Sequence, residues 1–181
     1  MIKKIITCMV TCILTCTLAQ AATVKEYTQV FKEATAVCKV YKHPCTIEAI
    51  QDDKMWAITM AQGKIQVSTK LLETMNQAQV RGVVYHETGH AVFQHVEKSA
   101  EYMYETMLNG TFDKNYYNEF RRQNELQADR FATYLGLFTF KDTDLIGALI
   151  ILTPPDDFYK THPSHPSTND RIEQIEQILG R

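Results

Sequence analysis

The feature that most constrains this chain is His86-Glu87-Thr88-Gly89-His90, set inside the apolar run 83–93. On a helix, positions i and i+4 are separated by about 40° of rotation and one turn of rise. His86 and His90 therefore point the same way, and both imidazoles can reach one metal ion. Glu87 lies on the adjacent sector, facing the position of a metal-bound water. This spacing suits a water-activating zinc site. It would arise by chance in roughly one chain of this composition in a hundred, so the remaining residues must supply a third ligand and a fold.

The length allows one domain with a sizeable core; with 181 residues, 45% apolar and 22% charged, the chain reads as globular. Met1–Lys4 is a short basic region, residues 5–18 an apolar stretch, and Ala19-Gln20-Ala21 a cleavage signal. Residues 1–21 are thus expected to be a signal peptide, too short for a typical span, and residues 22–181 the working domain. An uncleaved N-terminal anchor is the alternative, and secretion beyond the periplasm another. Cys16 follows Thr15, a residue larger than a lipidation signal tolerates. The mature chain keeps 17 basic and 21 acidic residues, a net charge of −4, with no basic face for nucleic acid. It also keeps two cysteines, Cys38 and Cys45, whose pairing fits an oxidising compartment; two free thiols are the alternative.

Apolar residues at spacings of three and four predict a helix over 23–41, closed by Pro44. Strands are expected at 46–50, 56–60 and 64–68, forming a small, mostly antiparallel sheet near the helix that carries His86. Asn76 with Gln79 reads as a capping box. The helix it starts should run from Gln77 to at least Glu97, with an apolar stripe continuing to Met107. Further helices are expected at 116–138, 144–152 and 167–179, with an extended stretch over 156–166. The fold class is α+β, mostly helical.

On an unbroken helix His95 lies about 180° from His86, on the opposite face, which excludes it as a ligand. Glu125 on the next long helix is the better third ligand. Asp129, four residues on, shares its face and is suited to accept the free ring N–H of a ligand histidine. A solvated pair among Arg121, Arg122 and Arg130 is the alternative. Glu87 would act as general base. His165 and Arg171 are candidates for stabilising an oxyanion, with His162 close by.

These segments, in order, resemble the HtpX-like and CAAX-prenyl-protease peptidases, a gluzincin family. The resemblance rests on the segment 54–60 (a loose fit), the strand and turn 65–72, and His86-Glu87-Thr88-Gly89-His90 with a further His95. It continues with Glu125-Leu126-Gln127-Ala128-Asp129, which fits ExxAD, and with His165-Pro166 ahead of Arg171-Ile172. It covers roughly residues 45–180. It implies a zincin-like metallopeptidase domain holding one Zn2+ through His86, His90 and Glu125, with His165 and Arg171 lining the site. It implies peptide-bond hydrolysis on polypeptide substrates, in envelope protein quality control alongside outer-membrane assembly components. The chain differs from membrane-embedded members in having no transmembrane span after the leader, and looks like a minimal, soluble, exported member. A zinc-binding, chaperone-like module with little activity is the competing reading.

The cysteine reading is directly testable. The native protein should expose no titratable thiol until reductant is added, and then two; two without reductant would refute the bridge.

Overall fold

The structure is a computed structural model that describes residues 21–139, 143–153, 159 and 162–181. The expected signal peptide, apart from Ala21, lies outside the described residues. Helix α1 spans Val24–Val40, with Thr23 and Glu26 forming a capping box at its start. Three strands follow: β1 at Thr46–Ile50, β2 at Ala57–Met60 and β3 at Lys64–Ser68. Helix α2 is Thr69–Thr74, α3 Gln77–Val92, α4 His95–Leu108 and α5 Lys114–Phe138. Helix α6 is Leu145–Ile151 and α7 Thr168–Leu179. The α+β class expected from the sequence holds: helices dominate and the sheet is small.

The sheet is mixed, in the order β1-β3-β2. β2 and β3 form an antiparallel hairpin, whereas β1 runs parallel to β3 from Thr46 opposite Lys64 to Ile50 opposite Ser68. The mostly antiparallel arrangement expected from consecutive short strands does not form at β1. The reason lies in the connections. A tight 3-10 turn at Ala61–Gly63, with Gln62 and Gly63 at φ 61° and 68°, folds β2 straight back onto β3. β1 is joined by a longer loop in which Asp52 takes N–H bonds from Lys54 and the Trp56 indole, while its own N–H bonds Thr69 Oγ1. That loop carries the chain across the sheet, and the fully buried Ile65 and Val67 make β3 the central strand. β2 is left as an edge strand.

Helix α3 is the axis of the molecule. It packs against α1, α5, α6 and β2, so nearly every side chain from Gln79 to Gly89 is buried. The Asn76–Gln79 capping box opens it as anticipated. α1 is pinned to it by Glu33, whose Oε2 accepts from Arg81 Nε at 3.1 Å and from Tyr85 Oη at 3.0 Å. The Cys38–Cys45 disulfide, with Cα atoms 5.9 Å apart, ties the end of α1 to the start of β1. Closing so short a loop stabilises by about 2.5 kcal/mol on the chain-entropy model.

Two expectations change. The helix starting at Gln77 does not run through Glu97: it stops at Val92, and Gln94 takes a left-handed conformation at φ 55° before α4 begins. The break is held by contacts distant in sequence. Gln94 Nε2 meets His43 Nδ1 at 3.0 Å, and Glu97 accepts the Gln62 N–H at 2.6 Å. Of the stretch expected to be extended over 156–166, residues 156–158, 160 and 161 lie outside the described residues; the described part turns at 163–165, where the His165 N–H bonds the His162 carbonyl. Pro163, with its fixed φ, suits the second position of such a turn.

The glycines of α3 mark two close crossings. A Cβ on Gly82 would stand 2.9 Å from Leu145 Cα of α6, and one on Gly89 3.1 Å from Ala128 Cα of α5. Gly82→Ala would gain about 1 kcal/mol of helix propensity but overpack the α3–α6 contact by more. Denaturant unfolding should show a net loss of about 1–2 kcal/mol; an unchanged or raised midpoint would contradict the crossing.

Candidate metal centre

Helix α3 presents His86 and His90 on one face, and α5 crosses it closely at Gly89, which brings Glu125 opposite them. His86 Nε2 and His90 Nε2 are 3.1 Å apart. Glu125 Oε2 lies 3.4 Å from His86 Nε2, and its Oε1 3.6 Å from His90 Nε2. A tetrahedral ion with bonds of about 2.0–2.1 Å sets its ligand atoms about 3.3–3.4 Å apart. These three residues are a buried group able to hold a metal.

The chemistry of the donor set agrees with the distances. His86 Nδ1 faces Asp129 Oδ1 at 2.8 Å. That carboxylate is wholly buried and accepts both Nε and Nη2 of Arg171, each at 2.7 Å. A carboxylate takes hydrogen bonds and gives none, so His86 Nδ1 carries the hydrogen and Nε2 is the atom turned to the site. Glu125, held well below the usual carboxylate range, arrives charged: burial opposes this, but hydrogen bonds to His86 and His90 outweigh it. The site therefore collects acceptors and calls for a positive charge. His86 answers in the metal-free protein. Burial resists a charged ring, but the Asp129 charge and hydrogen bond prevail and push its pKa up to about 10.

Glu87 is adjacent, with Oε2 2.7 Å from Thr59 Oγ1 of β2. The same hydroxyl lies 2.8 Å from the Glu87 carbonyl oxygen, and its single hydrogen serves one acceptor at a time. Together these side chains line a cleft of about 770 Å³. One wall is 55–59, leading into β2, and the other is apolar, including Val83, Leu145, Leu149 and Leu152. His165 lines the cleft; His162 does not, and is exposed. Burial holds the His165 ring below its ordinary pKa. Arg171 also lines the cleft, but two of its nitrogens are engaged with Asp129, and Nη2 lies 3.3 Å from His86 Nδ1.

Sequence patterning does not reveal two neighbours of the site. Thr59 looked like an ordinary strand residue. His95 was assigned to the far side of a continuous helix. The break at Gln94 instead turns it beside His90, with Nδ1 2.9 Å from His90 Nδ1 and Nε2 3.0 Å from Gln127 Oε1. Burial, reinforced by His90, pushes its pKa down to about 4, so the ring is neutral. No glycine or proline announces that break, because the left-handed residue is a glutamine.

The sequence matches the model of peptidase family M48 over residues 21–114 and 111–179. The chain belongs to peptidase family M48. No curated protein matches it. M48 peptidases are zinc-dependent metallopeptidases, and the buried His86–His90–Glu125 group suits that ion. Helices outside the sheet, the mixed three-stranded sheet and the His-bearing α3 are thus the scaffold of an M48 domain. Among the described residues no helix is long and apolar enough to cross a membrane.

Because His86 is charged below about pH 10 in the metal-free protein, a cation must displace its proton. Apparent zinc affinity should then rise with pH through the neutral range, by up to about tenfold per unit for each proton released. Calorimetric titrations at pH 7 in two buffers of different ionisation heat should report about one proton released per zinc; none would be incompatible with a cationic His86.

Proposed function

We propose that the protein is an exported, HtpX-like zinc endopeptidase that cleaves unfolded or misassembled proteins of the cell envelope. The observation carrying this reading is the convergence of His86 Nε2, His90 Nε2 and Glu125 Oε2 within a few ångströms of one another, beside Glu87 in an open cleft. In it His86, His90 and Glu125 are the zinc ligands. Zinc would supply Lewis acidity, lowering the pKa of water and polarising the scissile carbonyl.

The protein's own groups do the rest. The Glu87 carboxylate, positioned by Thr59, takes the proton of the attacking water and hands it to the leaving amine. His165, across the cleft, donates an N–H toward the oxygen that gains charge. Asp129 holds His86 in the ligating tautomer, and Arg171 supports the site by holding Asp129 in turn. β2 ends the sheet, so that a strand of an unfolded polypeptide could add along its outer edge beside Glu87. A substrate must be locally unfolded to do so, which favours damaged or unassembled chains. Export is supported by the signal-like segment 1–21 and by the Cys38–Cys45 bridge, which suits the periplasm. Outer-membrane assembly components are then the expected company.

Unfolded casein with stoichiometric zinc should be cleaved, and a chelator should stop the reaction. Glu87→Gln should retain one zinc per chain while losing proteolysis by about 10²–10⁴-fold. Full proteolysis by a zinc-verified Glu87→Gln protein would remove Glu87 as the base. A zinc-loaded parent that binds casein without cutting it would favour a chaperone-like module.

A further inference from the structure

We propose that His95 and Gln127 act as a relay that fixes the ring tautomer of His90 and so turns its Nε2 lone pair to the metal. The proposal deepens the zinc reading above and rests on it.

Gln127 Oε1 lies 3.0 Å from His95 Nε2. An amide oxygen only accepts, so His95 carries its hydrogen on Nε2 and has a lone pair on Nδ1. That nitrogen stands 2.9 Å from His90 Nδ1. Two ring nitrogens at this distance share a single hydrogen, and with His95 accepting, His90 must donate. His90 Nε2 is then bare, and it is the atom that faces His86 Nε2 and Glu125. Reversing the Gln127 amide would reverse each step. Its N–H would point at His95 Nε2, His95 would donate to His90, and the hydrogen would sit on His90 Nε2 and bar it from the ion.

The arrangement is symmetrical in an unexpected way. Asp129 sets His86 directly, through Nδ1 at 2.8 Å. Gln127 sets His90 at one remove, through His95. Both orienting residues lie on α5 with the third ligand, at positions two and four after Glu125, so one helix supplies a ligand and governs the other two. The chain reaches this arrangement only because Gln94, at φ 55°, breaks the helix and swings His95 back beside His90. The His95 ring is held there: it is buried and stacked on Phe93 with centroids 5.6 Å apart. His95 and Gln127 are positioning residues; His90 alone would touch the ion.

The test is a series of zinc dissociation constants from competition with a chromogenic chelator, with far-UV circular dichroism on each metal-free protein. Gln127→Glu keeps an acceptor in place and should bind zinc at least as tightly as the parent. Gln127→Lys offers only donors and should weaken binding by about 10–100-fold, as should His95→Phe, which keeps the stacked ring but ends the relay. Nitrogen-15 shifts of the imidazoles in the folded parent add a readout that packing alone would not move: His95 should be protonated at Nε2 and bare at Nδ1. A His95 bearing its hydrogen on Nδ1, or folded Gln127→Lys and His95→Phe proteins that bind zinc like the parent, would overturn the relay and leave the zinc site standing. A parent that takes up no zinc would overturn the metal reading and the relay with it.

Discussion

Two imidazole nitrogens and a carboxylate oxygen converge in a buried group, with His86 Nε2 3.1 Å from His90 Nε2 and 3.4 Å from Glu125 Oε2. Left alone, it recruits a proton onto His86, whose pKa is raised to about 10 by Asp129 despite burial; offered a cation, it has three ligands and suitable spacings. Much of the molecule serves this constraint. α3 must be buried on all sides to keep two histidines still, α5 must come close enough for Glu125 to reach them, and Gly89 permits the approach by presenting no Cβ to Ala128.

Asp129 extends the same logic outward. A fully buried carboxylate is costly unless its hydrogen-bonding capacity is filled. Here it is filled from both sides, by His86 and by the two-pronged Arg171 guanidinium. That link reaches from α5 to α7, so the C-terminal helix is joined to the site through charge as well as through the apolar contact of Ile175. It also defines what Arg171 does. With two nitrogens committed to Asp129, its first effect is on the orientation of His86.

Much of this was legible in the residues. The capping box at Asn76, the strand segments at 46–50 and 64–68 and the helix ends near Phe138 and Leu179 follow from local preferences, which act over a few residues. Glu125 and Asp129 stood out because two carboxylates four apart on a partly apolar helix face require an explanation. Strand order was not legible: β1 and β3 are parallel partners separated by a hairpin strand, a pairing set by how the loop around Asp52 packs. The break after Val92 was equally hidden, since Gln94 has no intrinsic preference for φ 55° and is held there by His43 and by neighbouring turns.

By itself, then, the sequence determined the ligand-bearing helix, the base beside its first histidine, the candidate partners on α5 and the cysteine pair, because each depends on helical periodicity or short-range spacing. Tertiary structure decided which groups meet. It chose His165 over His162 for the cleft, set Thr59 against Glu87, turned Arg171 toward Asp129, and returned His95 to the side of His90. Those outcomes depend on close backbone crossings and on a left-handed turn stabilised from a distance, and no local pattern of residues encodes either.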